Sequence, residues 1–216
     1  MNKNDDNVNY FYLREWQQKI TYKGIPLFKY PADIITYQQI IYDTKPDVIV
    51  ETGTCRGSSS LFFYDTMLLS GVKNPIVITS DINRRLFQAP QTNNIHCIIG
   101  SSLDRNTLNK IRSLINKDKS VMVSLDSDHT RNHVYQEMMA YHEFVTIGNY
   151  MVVEDTFLGA YGPFTQKSEE RFQENTGKTP KHALEDFLKE NNDFIVDKDR
   201  NKYFSMNPDG FLKKIK

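Results

Sequence analysis

Val48-Ile-Val-Glu-Thr-Gly-Thr-Cys-Arg-Gly-Ser-Ser-Ser60 is the stretch that decides the fold of this 216-residue chain. Val48 to Val50 are apolar and β-branched, as is typical of a short buried strand. Gly53 and Gly57 follow, and the mainly apolar run from Leu61 to Leu69 predicts a helix. A strand, a glycine turn and a helix in this order predict the first βα unit of a nucleotide-binding sheet.

The residues of this turn indicate what it would bind. Glycines let the backbone approach a ligand closely, and the N-terminus of the following helix favours negative charge. Gly-x-x-x-Gly is not the dinucleotide spacing Gly-x-Gly-x-x-Gly. Glu51 precedes Gly53 by two positions, where a carboxylate would repel a phosphate but suit the cationic amino-acid end of S-adenosylmethionine. A purely structural turn remains the alternative interpretation.

Length and charge limit the possible classes of protein. We expect an N-terminal extension over residues 1–30 and one domain over residues 31–216. Lys+Arg and Asp+Glu both number 27, and this balance argues against nucleic acid or an anionic membrane as the main partner. Apolar runs are too short to cross a membrane. A homo-oligomer is possible, with the N-terminal segment packing against a neighbour.

The two cysteines favour a reducing compartment. Cys55 and Cys97 are far apart in sequence and belong to no metal-binding spacing. The polar N-terminus lacks the apolar region of a signal peptide. We therefore expect a cytoplasmic protein.

Alternating strands and helices predict the rest of the fold. The further strands are expected at Pro75–Ser80, Ile95–Ile99, Ser120–Leu125 and Tyr150–Val153. The helices are expected at Phe11–Ile20, Asp33–Tyr42, Leu61–Leu69, from the N-cap Asp104 to Ile115, at Arg131–Val145 and at Pro180–Glu190. This alternation is typical of an α/β protein with a doubly wound, mostly parallel sheet.

The segment after the fifth strand has a different character. Asp193–Val196 and Lys202–Ser205 flank a turn-rich stretch and predict an antiparallel C-terminal strand pair. Asn207–Lys216 could add a last edge strand. The glycine-rich aromatic stretch Phe157–Phe164 predicts a loop that either closes over a ligand or only covers the surface.

Each of the five predicted parallel strands ends in polar residues, namely Glu51, Asp81, Ser101 with Ser102, Asp126 with Asp128, and Glu154 with Asp155. Ligands bind beyond the carboxyl ends of such strands, so these residues should converge on one edge of the sheet. Asp81 could accept both hydroxyls of a ribose, or cap a turn. Ser101 and Ser102 could contact an adenine, or be ordinary turn residues.

The carboxylates after the fourth and fifth strands indicate a metal. Asp126, Asp128, Glu154 and Asp155 would repel one another and have raised pKa values unless a cation lay between them. A few oxygen ligands with room for water and substrate suit Mg²⁺. The alternative is a set of solvated loop carboxylates. His129 is suited to general-base work near neutral pH, although single histidines are often structural.

Taken together, these motifs resemble those of class I S-adenosylmethionine-dependent methyltransferases. The motifs are Glu51-Thr-Gly-Thr-Cys-Arg-Gly-Ser-Ser59, Asp81, Gly100-Ser-Ser102, Asp126-Ser-Asp-His-Thr130 and Val153-Glu-Asp-Thr156. The chain is most similar, over about residues 30–205, to the cephalosporin hydroxylase family, which includes rhamnosyl O-methyltransferase-like members. The resemblance implies a methyltransferase fold with a metal beside the cofactor.

The resemblance also implies roles for single residues. By similarity to the more distant catechol O-methyltransferase type, Asp126, Glu154 and Asp155 would hold Mg²⁺, with Asp128 as an alternative first ligand. His129 stands where that type has its catalytic lysine, and Asp155 where it has an asparagine. The residues implied to bind the cofactor are Glu51, Gly53, Thr54, Gly57, Ser58, Ser59, Asp81, Ser101, Ser102 and Asp126.

We therefore expect an enzyme with the cofactors S-adenosylmethionine and Mg²⁺. Its substrate would be a small molecule whose hydroxyl is methylated, with a sugar or glycoside favoured over other natural products. His129 and Asp126 would be catalytic, His129 taking the hydroxyl proton. The alternatives are a metal-dependent hydrolase or hydroxylase component on the same sheet, and a non-catalytic cofactor-binding module.

Overall fold

The computed structural model describes residues 19–90, 92–159, 178–200 and 205–216. The strands are β1 (Thr21–Tyr22), β2 (Ile25–Pro26), β3 (Val48–Thr52), β4 (Ile76–Asp81), β5 (Ile95–Ile99), β6 (Val121–Leu125), β7 (Tyr150–Val153), β8 (Phe194–Val196) and β9 (Phe211–Lys214). The helices are α1 (Pro31–Thr44), α2 (Ser58–Leu69), α3 (Arg105–Leu114), α4 (Arg131–Tyr141) and α5 (Pro180–Glu190), with a 3₁₀ turn at Thr156–Gly159.

Seven strands form one sheet in the order β5-β4-β3-β6-β7-β9-β8. The first five are parallel, and β9 runs antiparallel to both of its neighbours. The predicted doubly wound, mostly parallel sheet is confirmed. The strand order reverses between β3 and β6, and in open α/β sheets a ligand crevice forms at the carboxyl ends of such a pair.

Both faces of the sheet are covered, so the central strands are apolar up to the residues near their carboxyl ends. In β3, Val48 and Val50 contribute to a core with Met138 of α4 and Phe187 of α5. Ile49 lies on the opposite face, in a core with residues of α1 and α2. Uninterrupted apolar strands are what a sheet buried on both sides requires, and this explains why Val48–Val50 could be recognised from the sequence.

The C-terminal strands differ from the expected order. The antiparallel pair is confirmed, but the partner of Phe194–Val196 is Phe211–Lys214. We expected the last segment at an edge, whereas β9 lies between β7 and β8. Phe211 and Leu212 are fully buried, so this strand gains more apolar burial inside the sheet than an edge would provide.

Some predicted segments lie wholly or mainly outside the described residues. These are the N-terminal helix Phe11–Ile20, the strand Lys202–Ser205 and the loop Phe157–Phe164, of which the structure describes only the start. Asp104 caps α3 as predicted, accepting the Asn106 N–H at 3.1 Å. Within the described ranges, the helices are all too short or too polar to span a bilayer.

The glycine turn after β3 brings two loops into direct contact. Gly53 has φ +84°, and a Cβ atom added there would lie 1.8 Å from the carbonyl oxygen of Asp126. The Asp126 N–H in turn donates to the carbonyl oxygen of Thr52 at 3.1 Å. Only glycine allows the turn and the loop after β6 to meet so closely.

We expect Gly53→Ala to destabilise the protein more than a glycine substitution made in open space. The control is Gly71→Ala, since Gly71 has φ +90° with no atom within 4 Å of an added Cβ. The control carries only the backbone cost of about 1 to 2 kcal/mol. Gly53→Ala should cost about 3 kcal/mol more, because Cβ collides with backbone. Equal free energies of unfolding in denaturant titrations would contradict this.

Candidate active site

The carboxyl ends of the central strands carry the site. β3 ends beside Glu51, β4 ends at Asp81, β6 leads into Asp126, and β7 leads into Glu154 and Asp155. The structure therefore brings the predicted acidic residues to one edge of the sheet. One group of them lies beside the glycine turn, and the other lies where β6 and β7 end.

Glu51 is a buried carboxylate with unused hydrogen-bonding capacity. The side chain is fully buried, and Oε2 accepts the hydroxyl of Ser60 at 2.5 Å. Oε1 has no hydrogen-bond partner among the described residues. Burial raises the pKa of Glu51, although Lys29 and nearby hydroxyls act against this. A cationic group would stabilise such a carboxylate, as the amino-acid end of S-adenosylmethionine would do.

Asp81 is held by the backbone around it. Oδ2 accepts the N–H of Cys55 at 2.8 Å, and Oδ1 accepts the N–H of Asn83 at 3.1 Å. Cys55 has φ +46°, so the turn curls over the end of β4. Each oxygen keeps a further lone pair, so the carboxylate can still accept the hydroxyls of a ribose.

The hydroxyl groups of the turn mostly face the protein. Thr54 Oγ1 lies 2.7 Å from Thr79 Oγ1, and the Ser58 hydroxyl donates to the carbonyl oxygen of Pro26 at 2.7 Å. Gly57 starts α2 with φ +77°, and an added Cβ would meet Ala89 and Phe87 at 2.8 Å. At the turn, the groups available to a ligand are therefore mainly backbone groups.

The serines after β5 are placed differently from each other. Ser101 is exposed, and its Oγ accepts the N–H of Leu103 at 3.3 Å. Ser102 is buried, and its Oγ lies 3.2 Å from Nε2 of His133. Ser102 therefore meets α4 through its side chain.

Asp126, His129 and Asp155 form the metal-side cluster. Each offers one ligand atom, and these atoms all lie within 4.8 Å of one another. His129 Nε2 is 3.3 Å from Asp155 Oδ2. Asp155 has φ +56°, and its N–H donates to Asn207 Oδ1 at 2.8 Å. The left-handed backbone costs energy in a non-glycine residue, and it turns Asp155 towards the other two side chains.

Asp128 does not join this cluster. Its Oδ1 accepts the N–H of Thr130 at 2.8 Å, and hydrogen bonds from Thr130 lower the pKa of the carboxyl group. The side chain thus stabilises the start of α4.

The acidic groups of the site shift one another's pKa values because they lie close together. Burial, together with Glu154 and Asp155, raises the pKa of Asp126 to about 7 despite the opposing charge of Lys29. Burial and Glu154 also raise the pKa of Asp155. Burial alone would lower the pKa of His129, but Asp155, Asp126 and the other carboxylates raise it. A divalent cation would relieve this repulsion, so the residues present fit a metal.

Glu154 points inward and is held by three donors. Oε1 accepts hydrogen bonds from Lys29 Nζ at 2.8 Å and from the Tyr37 hydroxyl. Oε2 accepts the side-chain amide of Asn207 at 2.8 Å. Burial would raise the pKa of Glu154, but Lys29 and the hydrogen bonds from Tyr37 and Asn207 lower it.

Lys29 is the functional residue that sequence reasoning missed. It is 3 % exposed, and its Nζ lies 2.9 Å from Asp126 Oδ2 and 2.8 Å from Glu154 Oε1. The ammonium group also lies 5.4 Å from the ring centroid of Tyr37 and 5.9 Å from that of Phe63. A lysine in a mainly apolar segment gives no sequence signal for this role, because its partners are 97 and 125 positions away.

Asp33 adds a further carboxyl group to this region, and it is fully buried. It accepts hydrogen bonds from the hydroxyl of Ser205 and the N–H of Met206. Burial and the charge of Glu154 raise the pKa of Asp33 to about 7. Lys29 is the cation that opposes both effects.

We expect Lys29→Met to lower the free energy of unfolding of the metal-free protein by about 3 to 5 kcal/mol, because the buried Glu154 and the half-buried Asp126 would lose their cation. Denaturant titration measures the loss. The control is Lys23→Met, which removes a 2.6 Å ion pair to Asp65 from a lysine whose side chain is 58 % exposed. Exposed pairs contribute less than about 1 kcal/mol. Equal losses in the two variants would contradict the role of Lys29.

Sequence comparisons place the chain within a known family. The sequence model of the family described as Rhamnosyl O-methyltransferase/CmcI matches residues 14–215. A curated rhamnosyl O-methyltransferase of Mycobacterium bovis is 29 % identical over 175 residues, which are 77 % of this chain and 71 % of the relative. The rhamnosyl O-methyltransferase of Mycobacterium leprae is 30 % identical over 142 residues, which are 65 % and 62 % of the two chains.

Solved structures agree on the fold. A structure of CmcI with Mg-SAM has a TM-score of 0.66 at 20 % identity, covering 91 % of this chain and 77 % of that one. A putative caffeoyl-CoA O-methyltransferase from Staphylococcus aureus has a TM-score of 0.63 at 14 % identity, covering 94 % and 90 %. The chain has the class I methyltransferase fold, and it belongs to the Rhamnosyl O-methyltransferase/CmcI family.

Proposed function

We propose that this chain, an S-adenosylmethionine-dependent O-methyltransferase by family, requires Mg²⁺ and methylates a hydroxyl group of a sugar or glycoside. The observation that carries the proposal is the metal-side cluster of Asp126, His129 and Asp155. Asp126 belongs to this cluster, and its backbone lies against the glycine turn at Gly53. A cofactor on the turn and a metal at the cluster would therefore be neighbours.

Two carboxylates and the glycine turn would bind the cofactor. Glu51 would pair with the ammonium group of the cofactor, for which its Oε1 is available. Asp81 would accept the ribose hydroxyls, and the backbone around Gly53 and Gly57 would cradle the ligand. Ser101 and Ser102 would border the adenine, and Ser59 would lie at the N-terminus of the helix beside the ligand.

The metal half uses Asp126, Asp155 and Glu154. Asp126 and Asp155 are placed to offer oxygens at once, while Glu154 is fixed by Lys29, Tyr37 and Asn207. Donors of this kind orient a ligating carboxylate and tune its basicity. Mg²⁺ would lower the pKa of the acceptor hydroxyl and orient its oxygen.

His129 would serve as the general base. Its side chain is 40 % exposed and its Nε2 lies 3.3 Å from Asp155 Oδ2, so the imidazole stands between Asp155 and solvent. The imidazole would take the hydroxyl proton, and the cofactor would supply the methyl group. Much of the rate would come from holding the two reactants in line.

The names of the relatives support a sugar as the acceptor. The curated proteins that match are named rhamnosyl O-methyltransferases, and their names state that a rhamnosyl group is methylated. Neighbouring hydroxyls of a sugar ring would suit a metal that needs oxygen ligands. We therefore place a sugar or glycoside first among the acceptors.

Calorimetric titration with S-adenosylmethionine, with and without Mg²⁺, tests the proposal. We expect binding in both conditions and turnover of a rhamnoside acceptor only with Mg²⁺. Absence of cofactor binding would overturn the methyltransferase assignment. Cofactor binding with no effect of Mg²⁺ on turnover would overturn the metal dependence.

We expect Asp155→Asn to weaken Mg²⁺ binding by at least about tenfold, because a ligand loses its charge. S-adenosylmethionine affinity should stay within about twofold, since Asp155 is placed at the metal and not at the turn. The matched control is Asp104→Asn, which removes a surface carboxylate but keeps a capping side chain. Mg²⁺ titrations of both variants measure the effect. Equal Mg²⁺ affinities would contradict the role of Asp155 as a metal ligand.

A further inference from the structure

Four polar residues form a second cluster, in which α4 meets the loops after β5 and β6. His133 Nε2 lies 3.2 Å from Ser102 Oγ and 3.1 Å from Ser127 Oγ. The Ser127 hydroxyl donates to Glu137 Oε1 at 2.7 Å, and the same oxygen lies 3.4 Å from His133 Nε2. We call this group the loop-joining cluster (Ser102, Ser127, His133 and Glu137).

The cluster joins loops that belong to distant strands. Ser102 follows β5 and Ser127 follows β6, and β4 and β3 lie between them in the sheet. Three strand spacings amount to about 14 Å, yet one imidazole nitrogen is within hydrogen-bonding distance of both serines. The two loops must therefore fold towards each other across the ends of β4 and β3. These are the strand ends that carry Asp81 and Gly53.

α4 presents the joining side chains on one face. His133, Glu137 and Tyr141 follow one another at intervals of four residues, which places them in a row along the helix. The Tyr141 hydroxyl donates to the carbonyl oxygen of Ser102 at 2.8 Å. Two side chains of α4 thus contact Ser102: His133 lies next to its hydroxyl group, and Tyr141 binds its carbonyl oxygen.

Burial of the Glu137 carboxylate costs more free energy than a contact that serves packing alone would require. It is fully buried, and its Oε2 has no hydrogen-bond partner in the described part of the chain. Burying a carboxylate with an unsatisfied oxygen costs free energy. An apolar side chain of similar size would fill the same space without this desolvation cost. The carboxylate instead holds Ser127 and His133.

We infer that His133 and Glu137 are positioning residues that join the loops after β5 and β6 and thereby set the affinity for the adenosine part of the cofactor. This rests on the proposed binding of S-adenosylmethionine at the turn. The metal side has its own anchor, because the Asp126 N–H bonds the carbonyl oxygen and the Oγ1 of Thr52, both at 3.1 Å. Loosening the cluster should therefore affect the cofactor and spare the metal.

His133→Ala tests the inference by calorimetry with three probes: S-adenosylmethionine, 5′-methylthioadenosine and Mg²⁺ alone. We expect both adenosine ligands to bind about tenfold more weakly, as loss of one or two ordinary hydrogen bonds would give. Mg²⁺ affinity should not change. In turnover assays, KM for S-adenosylmethionine should rise more than kcat falls.

Two further variants complete the experiment. His133→Gln keeps a nitrogen donor and should recover most of the affinity, whereas Gln136→Ala alters an exposed position of α4 and should change nothing. If His133→Ala does not fold, Ser127→Ala removes the link from the other side and is measured with the same probes.

The outcomes separate the two proposals. Absence of S-adenosylmethionine binding to the unaltered protein would overturn the proposed function itself. Normal binding by that protein together with unchanged affinity in His133→Ala, or in Ser127→Ala where that variant replaces it, would overturn only the positioning role. Equal losses for Mg²⁺ and for the adenosine ligands would also overturn it, because they would indicate general loosening of the site.

Discussion

The buried ammonium group of Lys29 is the contact on which the arrangement of the site depends. Buried Asp33 and Glu154 lie close to half-buried Asp126 and Asp155, and mutual repulsion would drive such groups apart or leave them protonated. Lys29 contacts Asp126 and Glu154 directly. Because it lies between them, the carboxylates stay close while a divalent cation remains favourable. The lysine also fixes Glu154 facing inward, which leaves Asp126 and Asp155 as the groups facing the crevice.

Lys29 also makes the segment before α1 part of the site. The carbonyl oxygen of Pro26 accepts the hydroxyl of Ser58 at the start of α2, three residues before Lys29 reaches the carboxylates. The same short segment therefore touches the cofactor side and the metal side. Asn207 and Ser205 complete the enclosure from the other end of the chain, through Glu154 and Asp33. The reactive edge of the sheet is thus closed by residues that are far apart in sequence.

The sequence predicted the parallel sheet, since Val48–Val50 and the other apolar strands have a composition that follows from burial on both faces. It also predicted which strand ends would carry acids, because Asp126 and Glu154 follow their strands directly. Lys29 and Asn207 could not be predicted, since their roles arise from partners on other elements and no local pattern marks them. The position of β9 was wrong for the same reason: strand order depends on which edge the tertiary fold leaves open. The roles of single residues in binding and catalysis stay predictions.

The insertion of β9 between β7 and β8 has a consequence for how the molecule assembles. Ser205, shortly before β9, meets Asp33 across 172 positions of sequence, whereas the parallel strands β3 and β6 pair across 73, from Val48 to Val121. Contacts of such long range form slowly, because the intervening loop must be closed before any interaction rewards it. Until then the carboxylates stay hydrated and their repulsion is screened by solvent. We therefore expect this edge of the sheet to be completed after the parallel strands and their helices have come together.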